Sequence, residues 1–141
     1  MLKNETFDNF RCRSFFIEKE LICQILVLFF KTSSSGWMSL TIDEGVSKLS
    51  REPCEPSLLD IKKIDDEFAY PVQDVKELTC YIGKKILNTY EYRINKIEEG
   101  CVGIYFDCGG CGFSVLEVDG CLSIIHGVSD DLQNDISLIK L

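Results

Sequence analysis

Polar and apolar residues alternate along much of the second half of the chain. Tyr90, Tyr92 and Ile94 alternate with Glu91, Arg93 and Asn95, and Val102, Ile104 and Phe106 alternate with Cys101, Gly103 and Tyr105. Successive side chains of a strand point to opposite faces, so this period of two predicts half-buried strands. Residues 113–118 and 122–126 flank Asp119-Gly120, a strong hairpin signal. Leu78, Cys80 and Ile82 alternate with Thr79 and Tyr81, which predicts a further strand. Residues 37–43 read the same way, with Met38, Leu40 and Ile42 on one side. The turns at Glu99-Gly100 and at residues 108–112 are short and glycine-bearing, which suits hairpins and not crossovers.

Elsewhere the spacing is helical. Leu58, Ile61, Ile64 and Phe68 fall three, three and four apart, and Ser57 with Asp60 offers a capping-box-like start before Pro71 stops the run. Phe7, Phe10, Phe15 and Phe16 suit a helix with one apolar side across residues 1–20. Residues 21–30 (LICQILVLFF) fit a buried strand or the end of that helix, and periodicity does not decide between them. The tail, residues 129–141, fits a short helix or an edge strand. A sheet with one apolar face needs a cover. The expectation is therefore an α+β two-layer sandwich: an antiparallel meander of four to six strands covered by one or two helices. Residues 1–141 read as a single domain, with 1–36 an N-terminal apolar segment and linker and 37–141 the core. Met38 is an alternative start to Met1.

Composition fits one globular domain. The 141 residues are 45% apolar and 27% charged, enough apolar surface to offset chain entropy. The 15 basic and 23 acidic residues leave a net charge of -8. That field repels nucleic acid and anionic membranes and attracts basic surfaces. The longest uncharged apolar run has ten residues, about half a membrane span, and the acids before it do not suit a signal peptide. The expectation is a cytoplasmic protein with no nucleic-acid or membrane partner.

Eight cysteines are candidates for chemistry: Cys12, Cys23, Cys54, Cys80, Cys101, Cys108, Cys111 and Cys121. Several sit in apolar strand-like runs, where free cysteine acts as a small hydrophobe, so reduced thiols are expected over a disulfide framework. Cys108-Gly109-Gly110-Cys111 has the spacing of half a zinc site, with Cys101, Cys121 or the sole histidine, His126, to complete it. A redox reading of the same pair lacks a following helix N-terminus to lower a thiol pKa. His126 has no nucleophile nearby in sequence, and no phosphate-cradling loop is present. The reading is thus of a protein that is not an enzyme and needs no cofactor. The alternatives are a metal-binding or redox module on Cys108 and Cys111, or a secreted disulfide-bonded binding protein.

The acids gather in runs: Asp65-Asp66-Glu67, Glu98-Glu99, and Asp130-Asp131 in the tail. The passage PSLLDIKKIDDEF followed by CVGIYFDCGGCGFSVLEVDGCLSIIHG resembles the immunity proteins of bacterial toxin systems, including contact-dependent inhibition. The resemblance implies an inhibitor that binds a cognate toxin domain, often a basic nuclease, and blocks its active site. Carboxylates suit the phosphate groove of such a partner. Asp65, Asp66, Glu67, Glu98, Glu99, Asp130 and Asp131, with Tyr90 and Tyr92 as aromatic anchors, are then the expected contact residues.

Overall fold

The computed structural model describes residues 2–130 and 133–141. Strands β1 (Phe7–Ile17), β2 (Glu20–Thr32), β3 (Gly36–Asp43) and β4 (Val46–Arg51) form one meander. The short strands β5 (Phe68–Ala69) and β6 (Val72–Asp74) return to the free edge of β1, giving the order β4-β3-β2-β1-β5. Strands β7 (Asn88–Ile94), β8 (Cys101–Asp107), β9 (Gly112–Val118) and β10 (Cys121–His126) form a second meander. β11 (Ile136–Lys140) returns to the free edge of β7, giving β10-β9-β8-β7-β11. Both halves therefore follow one plan, a four-stranded antiparallel meander whose chain then crosses back to the first strand.

The crossovers lie on the outer faces. In the first sheet Met38, Leu40 and Ile42 point inward and Trp37 points outward. The chain after β4 passes over this outer face, where the buried Arg11 guanidinium donates to the Pro56 carbonyl at 2.6 Å and lies 5.0 Å over the Trp37 ring. In the second sheet the chain after β10 passes over Tyr92. The Ser114 hydroxyl donates to the Gly127 carbonyl at 2.7 Å, and the Ser129 N–H donates to the Tyr92 hydroxyl at 3.1 Å. Tyr92 faces outward yet is fully buried.

The inner faces share one core. Phe7, Phe10 and Phe30 from the first sheet meet Phe106 and Phe113 from the second at centroid separations of 5.5–5.7 Å. Leu78 and Tyr81, on a 3-10 turn over Lys76–Tyr81, fill the same core. One seam between the sheets is closed by a disulfide between Cys23 on β2 and Cys121 on β10, with Cα atoms 5.8 Å apart. At the opposite seam the Cys101 N–H donates to the Gly45 carbonyl at 2.9 Å, and the Ser47 hydroxyl bonds the Glu91 carboxylate.

This architecture corrects the α+β expectation. The chain is nearly all β, and among the described residues no helix reaches seven residues. Residues 2–20 are not helical. Their three-residue aromatic spacing comes from a β-bulge: the register shift between Phe7 and Asn9 inserts an extra residue into β1, so Phe7 and Phe10 both face inward. Residues 21–30 resolve as strand. The helix expected from Leu58 to Phe68 shrinks to a 3-10 turn at Ile61–Lys63, capped by Asp60 and not Ser57. Strand partners hold both its flanks: Leu59 exchanges backbone hydrogen bonds with Val72, and Phe68 pairs with Ile17. The strand expected at residues 78–82 is the 3-10 turn, where Leu78 and Tyr81 are buried three apart. Reduced thiols are corrected at two positions, Cys23 and Cys121. Within the tail, Ile136–Lys140 form an edge strand on β7.

Candidate functional site

β5 is short, and its pattern is Phe68, Ala69, Tyr70 with only Ala69 buried. Phe16 pairs with Ala69 and Ile17 with Phe68, which puts Phe15, Ile17, Phe68 and Tyr70 on the outer side. The rings stack: Phe15 lies 5.1 Å from Tyr70 and 6.2 Å from Phe68, at interplanar angles of 23° and 13°. Phe68 and Tyr70 are each about half exposed (53% and 49%), as are Leu58 and Leu59 (54% and 41%), about ten residues earlier in the chain. Contiguous exposed apolar surface rimmed by polar groups marks interaction sites, because leaving it in water is costly.

The rim is acidic. Asp65, Asp66 and Glu67 are exposed and lead directly into Phe68. Their loop is pinned to the β1–β2 tip, where the Glu18 N–H donates to the Glu67 carbonyl at 2.8 Å and the Lys19 ammonium donates to the Ile61 and Ile64 carbonyls. Lys19 is thereby turned onto backbone, which leaves the three carboxylates exposed.

The remaining expected contact residues lie elsewhere. Glu98 and Glu99 are exposed in the β7–β8 turn. That turn packs on the β3–β4 turn, bringing Asp43 and Glu44 to the same end. Asp130 is exposed on the second sheet's crossover, on the other side of the sandwich, and Asp131 lies outside the described residues. Tyr90 is half-buried against Tyr105 at 6.0 Å. Tyr92 is wholly buried, its hydroxyl 2.5 Å from that of Ser114, so it holds the fold and offers nothing to a partner. Phe15, Phe68, Tyr70, Leu58 and Leu59 were not among the expected contacts. The helical spacing in the sequence predicts Phe68 on an inward helix face, which its pairing with Ile17 overturns. The signal that finds it is the period-two Phe68-Ala69-Tyr70 before and after a buried alanine.

The cysteine pair sits at the opposite end of the molecule. Cys108 and Cys111 close the β8–β9 turn, with the Cys108 N–H donating to the Cys111 carbonyl at 2.9 Å. Burial first, then the neighbouring Cys111 and Asp107, push the Cys108 thiol up to about 11. A thiol so shifted is a poor nucleophile at neutral pH. Cys101 is buried at the far end of β8 beside Glu91, and burial pushes it to about 11 as well. Cys121 is taken by the disulfide. Among the described residues no three His, Cys, Asp or Glu side chains converge as a metal site. His126 Nδ1 is 2.6 Å from the Tyr81 hydroxyl, which also lies 2.7 Å from the Gly112 carbonyl. The carbonyl can only accept, so Tyr81 donates there and His126 Nδ1–H donates to Tyr81. Burial and the nearby cysteines push Tyr81 up to about 12, which keeps it a phenol. No described helix is long and apolar enough to cross a membrane. Comparison with family models, characterised proteins and solved structures returned no match to this chain.

Proposed function

We propose that this protein is a binding module for a basic partner protein, and that the partner is a toxin domain that it neutralises, as the resemblance to immunity proteins implies. The observation that supports the reading is the Phe15–Tyr70–Phe68 stack, in which Phe68 and Tyr70 are exposed, flanked by Asp65, Asp66 and Glu67. An arginine on a partner can lay its guanidinium on an aromatic face while its N–H groups meet carboxylates, so one side chain uses both features. Lysine-rich surfaces are drawn by the same charge.

Co-expression with the product of the adjacent gene tests the reading. A basic toxin-like protein should co-elute at low salt and be released as ionic strength rises. Phe68→Ala should weaken the complex about tenfold or more, as loss of an aromatic anchor does. An adjacent product that does not bind, or binding indifferent to both salt and Phe68→Ala, rejects it.

The Cys23–Cys121 bond favours a second reading of where such binding takes place. Disulfides persist in oxidising compartments, so we propose export as the alternative to the cytoplasm. Thiol titration of the denatured, unreduced protein from its native source decides: the six thiols of Cys12, Cys54, Cys80, Cys101, Cys108 and Cys111 under export, or all eight in a reduced compartment.

A further inference from the structure

The chain after the first crossover lies along β1 in one register. The Glu18 N–H donates to the Glu67 carbonyl at 2.8 Å, the Ser14 N–H to the Pro71 carbonyl at 3.0 Å, and the Val75 N–H to the Phe10 carbonyl at 3.2 Å. In an antiparallel ladder, residues that bond to the neighbouring strand alternate with residues whose N–H and C=O point away from it. Ala69, opposite Phe16, therefore bonds to β1, while Phe68, Tyr70 and Val72 present their backbone groups to the outer edge. Val72 shows this directly, since it exchanges both of its backbone bonds with Leu59, at 3.0 Å each.

After Leu59 the covering chain turns off the edge. The Asp60 carboxylate and carbonyl accept from the Lys62 and Lys63 N–H groups, and the Ile61 and Ile64 carbonyls accept from Lys19. Among the described residues no hydrogen bond reaches the N–H or C=O of Phe68 or Tyr70, and both residues are exposed. Their donors and acceptors therefore stand in line beyond Leu59 with nothing paired to them. Such a row on a sheet edge is a template for one more strand.

We propose that this edge takes up an extended, basic segment of the partner protein, which pairs antiparallel with Phe68-Ala69-Tyr70 and continues the line that Leu59 begins. The inference rests on the binding reading above and adds how the partner is held. Segment residues opposite Phe68 and Tyr70 share the outer face with the aromatic stack. The later of the two lies opposite Phe68, towards the Asp65-Asp66-Glu67 run that leads into it, so arginine fits there and an acid does not. The recognised pattern is an aromatic or β-branched residue, then any residue, then arginine.

Titration of the isotope-labelled protein with the peptide acetyl-Lys-Thr-Tyr-Thr-Arg-Thr-Lys-amide tests it by NMR. The amides of Phe68 and Tyr70 should shift saturably and slow in hydrogen exchange, whereas that of Ala69 should be protected before peptide is added. N-methylation of the peptide's arginine amide, which faces the edge, should weaken binding about tenfold, and N-methylation of its central threonine, which faces away, should leave it unchanged. Glutamate in place of the arginine should weaken it by as much again. Tyr70→Pro should weaken binding about fivefold more than Tyr70→Ala, the worth of the lost N–H. Tyr70→Pro should also melt where Tyr70→Ala melts, whereas Ala69→Pro, which loses a bond to β1, should melt lower. Absence of a saturable shift at Phe68 and Tyr70, or binding indifferent to N-methylation of the arginine, overturns the proposal and leaves the partner reading to its own co-elution test. So does a concentration-dependent dimer of the wild-type chain that Tyr70→Pro dissolves, which assigns the edge to a second copy.

Discussion

Glu5 holds the β2–β3 turn through four hydrogen bonds. Its carboxylate accepts from the Thr32 hydroxyl at 2.6 Å, from the Ser34 and Ser35 N–H groups at 3.0 and 2.8 Å, and from the Ser35 hydroxyl at 2.7 Å. Burial alone acts to raise its pKa, but these donors outweigh burial and hold it at about 2, against a usual value of 4.5. A folded pKa below the unfolded one stabilises the protein fully above pH 4.5, and the gain fades as pH falls towards 2. Glu5→Gln should cost about 2 kcal/mol at pH 7. Urea melts should show the gap to wild type narrowing between pH 4.5 and pH 2, and a gap that is constant with pH would contradict this account. Gly45 is a second single-residue constraint. It has a φ of +78°, and a Cβ there would sit 1.8 Å from the Glu99 carbonyl oxygen. Gly45→Ala should therefore force apart the β3–β4 and β7–β8 turns and cost about 2 kcal/mol or more, read by the same melts.

The two crossovers are the elements that periodicity could not reveal. Tyr92 ties the second one down, through Ser114 and Ser129. Tyr92→Phe keeps the ring and removes the hydroxyl, so it should cost about 1–2 kcal/mol and speed amide exchange at Ser129 before that of the β7–β8 ladder. Unchanged exchange at Ser129 would mean the crossover is held by packing alone. Strands were legible where alternation was unbroken: the expected strands at residues 37–43, 113–118 and 122–126 all appear, as does the Asp119-Gly120 hairpin. They are illegible where a bulge resets the period, as between Phe7 and Asn9, because the resulting three-residue spacing imitates a helix. The Leu58–Phe68 pattern failed for a different reason. Long-range partners, Val72 and Ile17, take the backbone groups at its two ends, and a local pattern carries no information about them. The candidate surface was half legible. Its acids were visible as a run, but the exposure of Phe68 and Tyr70 depends on pairing with β1, fifty residues earlier.

At the scale of the molecule, the two halves share a topology but not a sequence pattern, which raises the question of whether they are separate folding units. The core answers it. Phe7 touches Phe106 and Phe113, so each half lacks one wall of its own interior. A sheet with one bare apolar face is not stable alone. The disulfide adds a tether across 98 residues of chain, and closing so long a loop in the unfolded state is worth about 5 kcal/mol in the chain-entropy account. It acts mainly on the unfolded ensemble, whereas cooperativity comes from the shared core. Reduction of Cys23–Cys121, or the double replacement Cys23→Ser with Cys121→Ser, should therefore lower stability by about that amount and still leave a single transition. Scanning calorimetry separates the two contributions: the calorimetric and van't Hoff enthalpies should agree in both oxidised and reduced protein. If reduction splits the melt into two transitions, the disulfide and not the aromatic core is what joins the halves.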